Sequence, residues 1–363
     1  MSERVRFGVI GTSAYADLLH LPSICSHDKA EIAAICGRNT QRAREIADKY
    51  GIPQVYGDYR QMIEDEDLRA IVVIAPEDLH WQMSMAALDA GLHVVCEKPM
   101  AMNTFQAREM LEKAQSAGVV HMVFFTYRWS PVYRYLKQLI DDGFIGRPYH
   151  CDIGYLGGYG RAGRYSWKFE PGRGSGILGD LGSHMIDLAR WLVGDIARVS
   201  CHLGTFVERL HPDTGVASTV NDSALLGLEF ENGAQGSIHV SAVALPGKRG
   251  QEQRVVLHGD SGSLEAEFSF GYGEAIRGIR NGQDDFQSLC VPDSLLENVD
   301  RTATPFAQFV QVHTGQSVGD RHFIDSIIQN TAASPSFFDG YEVQRIMDAA
   351  IDSHTNSRWT LVD

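Results

Sequence analysis

From Val5 to about Phe125 the sequence alternates short apolar runs with stretches of helical periodicity, and few folds accept that rhythm. Parallel strands cannot be joined by tight turns and need long crossovers, usually helices, so the alternation points to a doubly wound parallel sheet. The strands are expected at Arg6–Ile10, Ile32–Cys36, Ala70–Ile74, His93–Cys96 and Val119–Phe125. Between them, Asn39–Gly51 ("NTQRAREIADKYG") opens on a polar residue and closes on glycine, and "PEDLHWQMSMAALDAG" ends the same way at Gly91.

The chain of 363 residues exceeds the usual size of one domain, which predicts two, at 1–126 and 127–363, with packing of the C-terminal helix back on the first as an alternative. Hydrophobic residues at 44% and charged residues at 21% give a globular balance. No apolar run reaches the roughly 18 residues of a membrane span. The N-terminal "MSERVRFGVIG" enters a strand within a few residues, and without a signal-peptide pattern the expected location is cytoplasmic. Cys25, Cys36, Cys96, Cys151, Cys201 and Cys290 are scattered without a C-x-x-C pair, which fits reduced thiols better than disulfides or zinc. A formal net charge of −14 argues against nucleic acid or an anionic membrane as partner.

The first strand runs into "GVIGTSAYA", where a dinucleotide-binding turn would read G-x-G-x-x-G. Gly11 fills the first glycine position, while Ser13 and Ala16 stand at the second and third, both small. An ordinary tight strand-to-helix turn accounts for the motif equally well. After the second strand comes "ICGRNTQR", with no acid to bind ribose hydroxyls. Arg38, helped by Asn39 and Thr40, suits the 2′-phosphate of NADP, with a solvated surface arginine as the plain alternative.

In "HVVCEKPMAMN" a glutamate, a lysine and a proline follow an apolar strand. Ligands bind outside the carboxyl ends of such strands, so Lys98 is expected to face a cofactor and Glu97 to support the loop; a structural ion pair is the alternative. Farther on, "GSGILGDLGSHMIDLARWLVGD" predicts a helix starting near Asp180, with His184 four residues on and Asp187 three beyond that. A carboxylate one turn before a histidine can orient the imidazole as a base, although a lone helical histidine often belongs simply to the core.

Taken with "YRWSPVYRYLKQLIDDGFIGRP" and the closing "PSFFDGYEVQRIMDAAIDSHTNSRW", these motifs resemble the family of glucose-fructose oxidoreductase, inositol 2-dehydrogenase and the rhizopine-catabolism protein MocA, across essentially the whole chain. The resemblance implies an N-terminal Rossmann domain followed by an α/β domain with a large open, mostly antiparallel sheet, often used for oligomerisation. Strand-like stretches at Ser223–Phe230, Gln235–Val243 and Val255–Leu257 fit that sheet. It places the family's lysine, histidine and helix-start aspartate on Lys98, His184 and Asp180 as catalytic residues. The cofactor-binding set is expected to be Gly11, Thr12, Ser13, Ala14, Arg38, Asn39, Ala75, Pro76, His80, Glu97 and Lys98, with NADP as cofactor, NAD possible, and no metal.

The expected reaction is hydride transfer between the nicotinamide and a secondary alcohol or ketone of a sugar, cyclitol or related polyol. Arg128, Trp129, Tyr155, Arg164 and Trp167 are candidates to line the sugar, since aromatic faces and polar hydrogen-bonders meet there; the glycine-rich loop holding three of them could equally be surface packing. A glycosidase using transient oxidation and a cofactor-binding sensor are the alternative functions. A homodimer or homotetramer is the expected assembly, because an open sheet needs covering.

Overall fold

Residues 4–363 are described by the computed structural model, and they divide into two units. The first runs to Phe125 and takes in Val310–Tyr341; the second is Thr126–Phe309 with Glu342–Asp363. The chain passes from the first unit to the second after Phe125, and a later segment, Val310–Tyr341, is grouped with the first.

Six parallel strands build the first sheet: β1 (Val5–Ile10), β2 (Ala30–Cys36), β3 (Gln54–Tyr56), β4 (Ala70–Val73), β5 (His93–Cys96) and β6 (His121–Val123), in the order β3-β2-β1-β4-β5-β6. That order reverses at β1, as in dinucleotide-binding sheets. Between and after the strands lie α1 (Leu21–Cys25), α2 (Thr40–Tyr50), α3 (Tyr59–Asp65), α4 (Glu77–Asp89) and α5 (Thr104–Ala117). The short edge strand β3 has only three residues, too few for a periodic signal, and was not foreseen.

The helices end where local chemistry stops them. Asn39 accepts the backbone N–H of Arg42 at 3.0 Å and starts α2, and Gly51 at φ 67° closes it in the left-handed region. Asn103 and Gly118 do the same for α5. Val94, Val95 and Cys96 of β5 are fully buried, as a parallel strand covered on both faces requires.

Strand register sets the position of the site. Ile10 pairs with Cys36 and Val73, Val73 with Cys96, and Cys96 with Val123. Gly11, Gly37, Ile74, Glu97 and Phe124 therefore all step off the sheet at one edge.

The second unit is built on a nine-stranded, mostly antiparallel sheet: β7 (Pro148–Leu156), β8 (Ile196–Gly204), β9 (Ser223–Phe230), β10 (Gln235–Ser241), β11 (Glu252–Gly259), β12 (Gly262–Ser269), β13 (Gly273–Arg280), β14 (Gln287–Ser288) and β15 (Thr360–Leu361), ordered β14-β13-β12-β11-β7-β10-β9-β8-β15. Helices α6 (Pro131–Asp141) and α7 (Ser183–Val193) pack on it; α8 (Pro305–Gly315), α9 (Gly319–Gln329) and α10 (Phe337–Asn356) follow later in the chain. Burial alternates along the strands: Ala224, Leu226, Leu228 and Phe230 of β9 are buried, as are Leu264, Ala266 and Phe268 of β12. The opposite face holds cross-strand ion pairs, Arg198 with Glu229 and Arg277 with Glu265. Among the described residues no helix is long and apolar enough to cross a membrane.

A buried ion pair fixes the glycine-rich stretch of this unit. Arg209, 1% exposed, donates to Asp222 at 2.8 Å and to the Gly160 carbonyl at 2.8 Å, and its guanidinium lies 4.0 Å from the Phe169 ring centre. Asp222 also accepts the backbone N–H groups of Phe206 and Val207. Replacing Arg209 with Met leaves that carboxylate buried without its cation, and such losses cost about 3–5 kcal/mol. Urea unfolding of Arg209→Met is expected to show a loss of that size, and a loss below about 1 kcal/mol would contradict the assignment.

Candidate active site

The carboxyl edge of the first sheet collects the residues suited to a dinucleotide. Gly11 has φ +127°, a conformation side chains rarely adopt, and a Cβ there would lie 2.2 Å from the Ile74 carbonyl oxygen. Only glycine fits. Of the following residues Thr12 is half-buried and Ser13 to Tyr15 are exposed, and Ser13 braces the turn by accepting the Ala16 N–H at 3.2 Å. A small-residue turn at the end of the central strand, leading into a helical segment, fits a pyrophosphate. Arg38 is exposed just beyond β2. Asn39, expected to touch the cofactor, has its side chain committed to the N-cap of α2.

Ala75 and Pro76 are partly open at the end of β4, but His80 is not. It is 1% exposed, with Nδ1 2.8 Å from the Pro99 carbonyl and Nε2 2.8 Å from the Ala75 carbonyl. His80, expected in the cofactor-binding set, thus ties the loop after β4 to the loop after β5. Burial pulls its pKa down, against the pull of the two carbonyls.

Lys98 is half-buried directly after β5, and Glu97 behind it is turned inward. Glu97 Oε2 accepts the Lys98 backbone N–H at 3.0 Å, and Oε1 lies 3.0 Å from His20 Nε2. The other ring nitrogen of His20 lies 3.0 and 3.1 Å from the two carboxylate oxygens of Asp320. Both carboxylate oxygens of Glu97 are thus engaged in supporting the loop. Burial alone would lower the His20 pKa, but the charge and hydrogen bond of Asp320, then of Glu97, raise it to about 10. Neither His20 nor Asp320 stood out in the sequence, because 300 residues separate them.

In the second unit a wider, π-helical turn over Leu178–Gly182 precedes α7, so the helix proper starts at Ser183 and not near Asp180. Asp180 Oδ2 accepts from Lys168 Nζ and from the Tyr159 hydroxyl, each at 2.7 Å. The Lys168 ammonium also stands 5.8 Å from the Tyr159 ring and 5.9 Å from the Trp167 ring. His184 is 6% exposed, and its ring centre lies 4.7 Å from that of Tyr127 in an edge-on arrangement. The hydroxyls of Tyr127 and Tyr155 are 2.6 Å apart, and Tyr155 donates onward to Gln251. Burial pushes the phenols of Tyr127, Tyr155 and Tyr159 up, so all three stay protonated near neutrality. None of the three is therefore a resting base.

The expected sugar-lining residues divide. Arg128 and Trp129 are each 7% exposed, and Arg128 is bonded bidentately to Asp187 at 2.8 and 2.5 Å. Arg128 thus fixes α7, and Asp187, foreseen on the face of His184, holds that arginine. Tyr155 is buried beneath the site, Arg164 is exposed, and Trp167 is half-buried beside Lys168. Lys168 and Tyr159 were missed; the signal was available, since both lie in the same aromatic, glycine-rich loop as Trp167.

Residues 5–125 match the family model described as oxidoreductase family, NAD-binding Rossmann fold, and residues 133–265 match the GFO/IDH/MocA C-terminal domain. The chain belongs to the Gfo/Idh/MocA oxidoreductase family. By that membership it is an oxidoreductase with an NAD-binding Rossmann domain. Levoglucosan dehydrogenase of Pseudarthrobacter phenanthrenivorans is 29% identical, over 90% of this chain and 88% of that enzyme. Myo-inositol 2-dehydrogenase of Thermotoga maritima is 28% identical, over 72% of this chain and 75% of its own. A solved levoglucosan dehydrogenase in complex with NADH and levoglucosan superposes with a TM-score of 0.89 at 26% identity, covering 99% of this chain and 100% of the other.

The His20 geometry has a measurable linkage. A raised histidine pKa means the folded state holds the proton more tightly, so its stabilisation is complete below about pH 6.5 and is lost as pH rises through about 10. The stability gap between the native protein and His20→Gln is expected to narrow by more than about 1 kcal/mol from pH 6.5 to 10.5. Urea unfolding at the two pH values measures it, and a gap independent of pH contradicts a charged His20.

Proposed function

We propose that the protein is a dehydrogenase or reductase that moves a hydride between NADP, with NAD also accepted, and a secondary alcohol or ketone of a sugar, cyclitol or related polyol. The observation that supports this best is Lys98, anchored where β5 leaves the sheet, at the same edge as the open Gly11 turn. The levoglucosan and myo-inositol specificities of the relatives favour a polyol substrate. The absence of an acid after β2, with Arg38 exposed there, favours NADP.

The cofactor, when bound, supplies the hydride acceptor or donor. In the oxidative direction His184 removes the proton of the substrate hydroxyl. Lys98 stabilises the negative charge that develops on that oxygen, worth most where water is excluded. Asp180, held by Lys168 and Tyr159, orients the hydroxyl or the imidazole. The backbone turn from Gly11 to Ala14 and the residues Ala75 and Pro76 hold the dinucleotide, and Trp167 offers a ring face to the sugar. The large sheet of the second unit is the proposed surface for self-association into a dimer or tetramer.

Screening levoglucosan, myo-inositol, sugars and glucosides by nicotinamide absorbance tests the reading. Lys98→Met and His184→Asn are each expected to lower kcat on the order of 10²–10⁴-fold while NADPH binding, followed by fluorescence, changes little. A fully active His184→Asn protein overturns the assignment of the base. For the cofactor, kcat/KM is expected to favour NADP, and Arg38→Ala to remove most of that preference. An NAD to NADP efficiency ratio well above unity in the unmodified protein defeats this part.

A further inference from the structure

We propose that His20 and Asp320 are positioning residues for Lys98, acting through Glu97, so that a helix reached only after the chain has passed through the second unit completes the lysine's site. This rests on the reading of Lys98 given above. The linkage is continuous: both oxygens of Asp320 on His20 Nδ1, His20 Nε2 on one oxygen of Glu97, and the other Glu97 oxygen on the Lys98 N–H. One carboxylate thus spans the imidazole and the backbone of the lysine, and its rotation would carry the Lys98 amide with it.

Three segments meet here. His20 ends the helical turn that follows the Gly11 loop, Glu97 leaves β5, and Asp320 sits in the first turn of α9. His20 and Asp320 are fully buried, and the centre of the Phe124 ring lies 4.1 Å from that of His20 and 6.3 Å from that of His313. Tyr15 approaches the imidazole edge at 6.1 Å. The titratable groups facing His20 are Glu97 and Asp320, with Lys98 and His80 in the next layer around Glu97.

Stability alone is a poor reason for such a cluster. Apolar residues of equal volume usually hold a core as well as a buried ion group, or better, because desolvation consumes the Coulombic gain. What an apolar trio cannot provide is direction: two carboxylates pin both ring nitrogens, and the pinned ring fixes the glutamate. The geometry gives the residue beside Glu97 one orientation at the edge where Gly11 also emerges.

The test uses the full chain as Asp320→Asn, His20→Gln, the nearly isosteric Glu97→Gln and Lys98→Met, with circular dichroism to select folded variants. Acylation of each lysine by acetyl N-hydroxysuccinimide, read by peptide mass spectrometry from pH 7 to 10, reports the Lys98 environment against Lys113 as internal reference. The proposal expects the Lys98 rate and its pH dependence to change several-fold in the folded Asp320, His20 and Glu97 variants, with Lys113 unaltered. A merely structural cluster would leave the ratio unchanged, and an unchanged ratio in each of these three, where folded, overturns the proposal. With levoglucosan or myo-inositol as probe, kcat is expected to fall between about tenfold and 10²-fold with the KM for the cofactor nearly constant. Full turnover by Lys98→Met would instead defeat the catalytic reading of the lysine, while the acylation result still decides the anchoring.

Discussion

A parallel sheet covered on both faces has little room for charge except at its edges. In this protein the pairing of Ile10, Val73, Cys96 and Cys36 brings four strand ends into line, so that the first residues beyond the apolar core emerge together. Gly11, Arg38, Ala75 and Lys98 owe their common neighbourhood to that register. A shift of β5 along its neighbours would move Lys98 away from the Gly11 turn, so the apolar strands fix the place of the polar chemistry.

The loops at this edge are held by buried polar groups. His80 bridges two loop carbonyls, and Glu97 joins the lysine backbone to His20 and Asp320. The second unit uses the same principle: Arg128 with Asp187 on α7, Arg209 with Asp222 beneath the glycine-rich stretch, Lys168 and Tyr159 on Asp180. Residues that look functional by type, such as Arg128 and His80, are thereby removed from contact with solvent, while Lys168, less conspicuous, lies on the carboxylate assigned to the chemistry.

The positions of β5, β9 and α2 could be read from the sequence because each depends on local rules: an apolar run, strict alternation, a cap at each end. The helix start at Asp180 could not, since a π-helical turn breaks the spacing on which the expectation rested. Lys98, Asp180 and His184 could be singled out as candidates from their motifs. His20 and Asp320 were not, because a lone histidine and a lone aspartate give no periodic signal and acquire meaning only from each other.

The sequence by itself determined the parallel sheet, the glycine turn, the charges after β5 and the family, since these follow from residue order over short distances. Only the tertiary structure decided which polar side chains are occupied by one another. The choice between a functional and a supporting role for Glu97, His80, Arg128 and Trp129 depends on burial and on partners up to hundreds of residues away. Desolvation compels a buried charge to find a partner, and no local pattern says which one it finds.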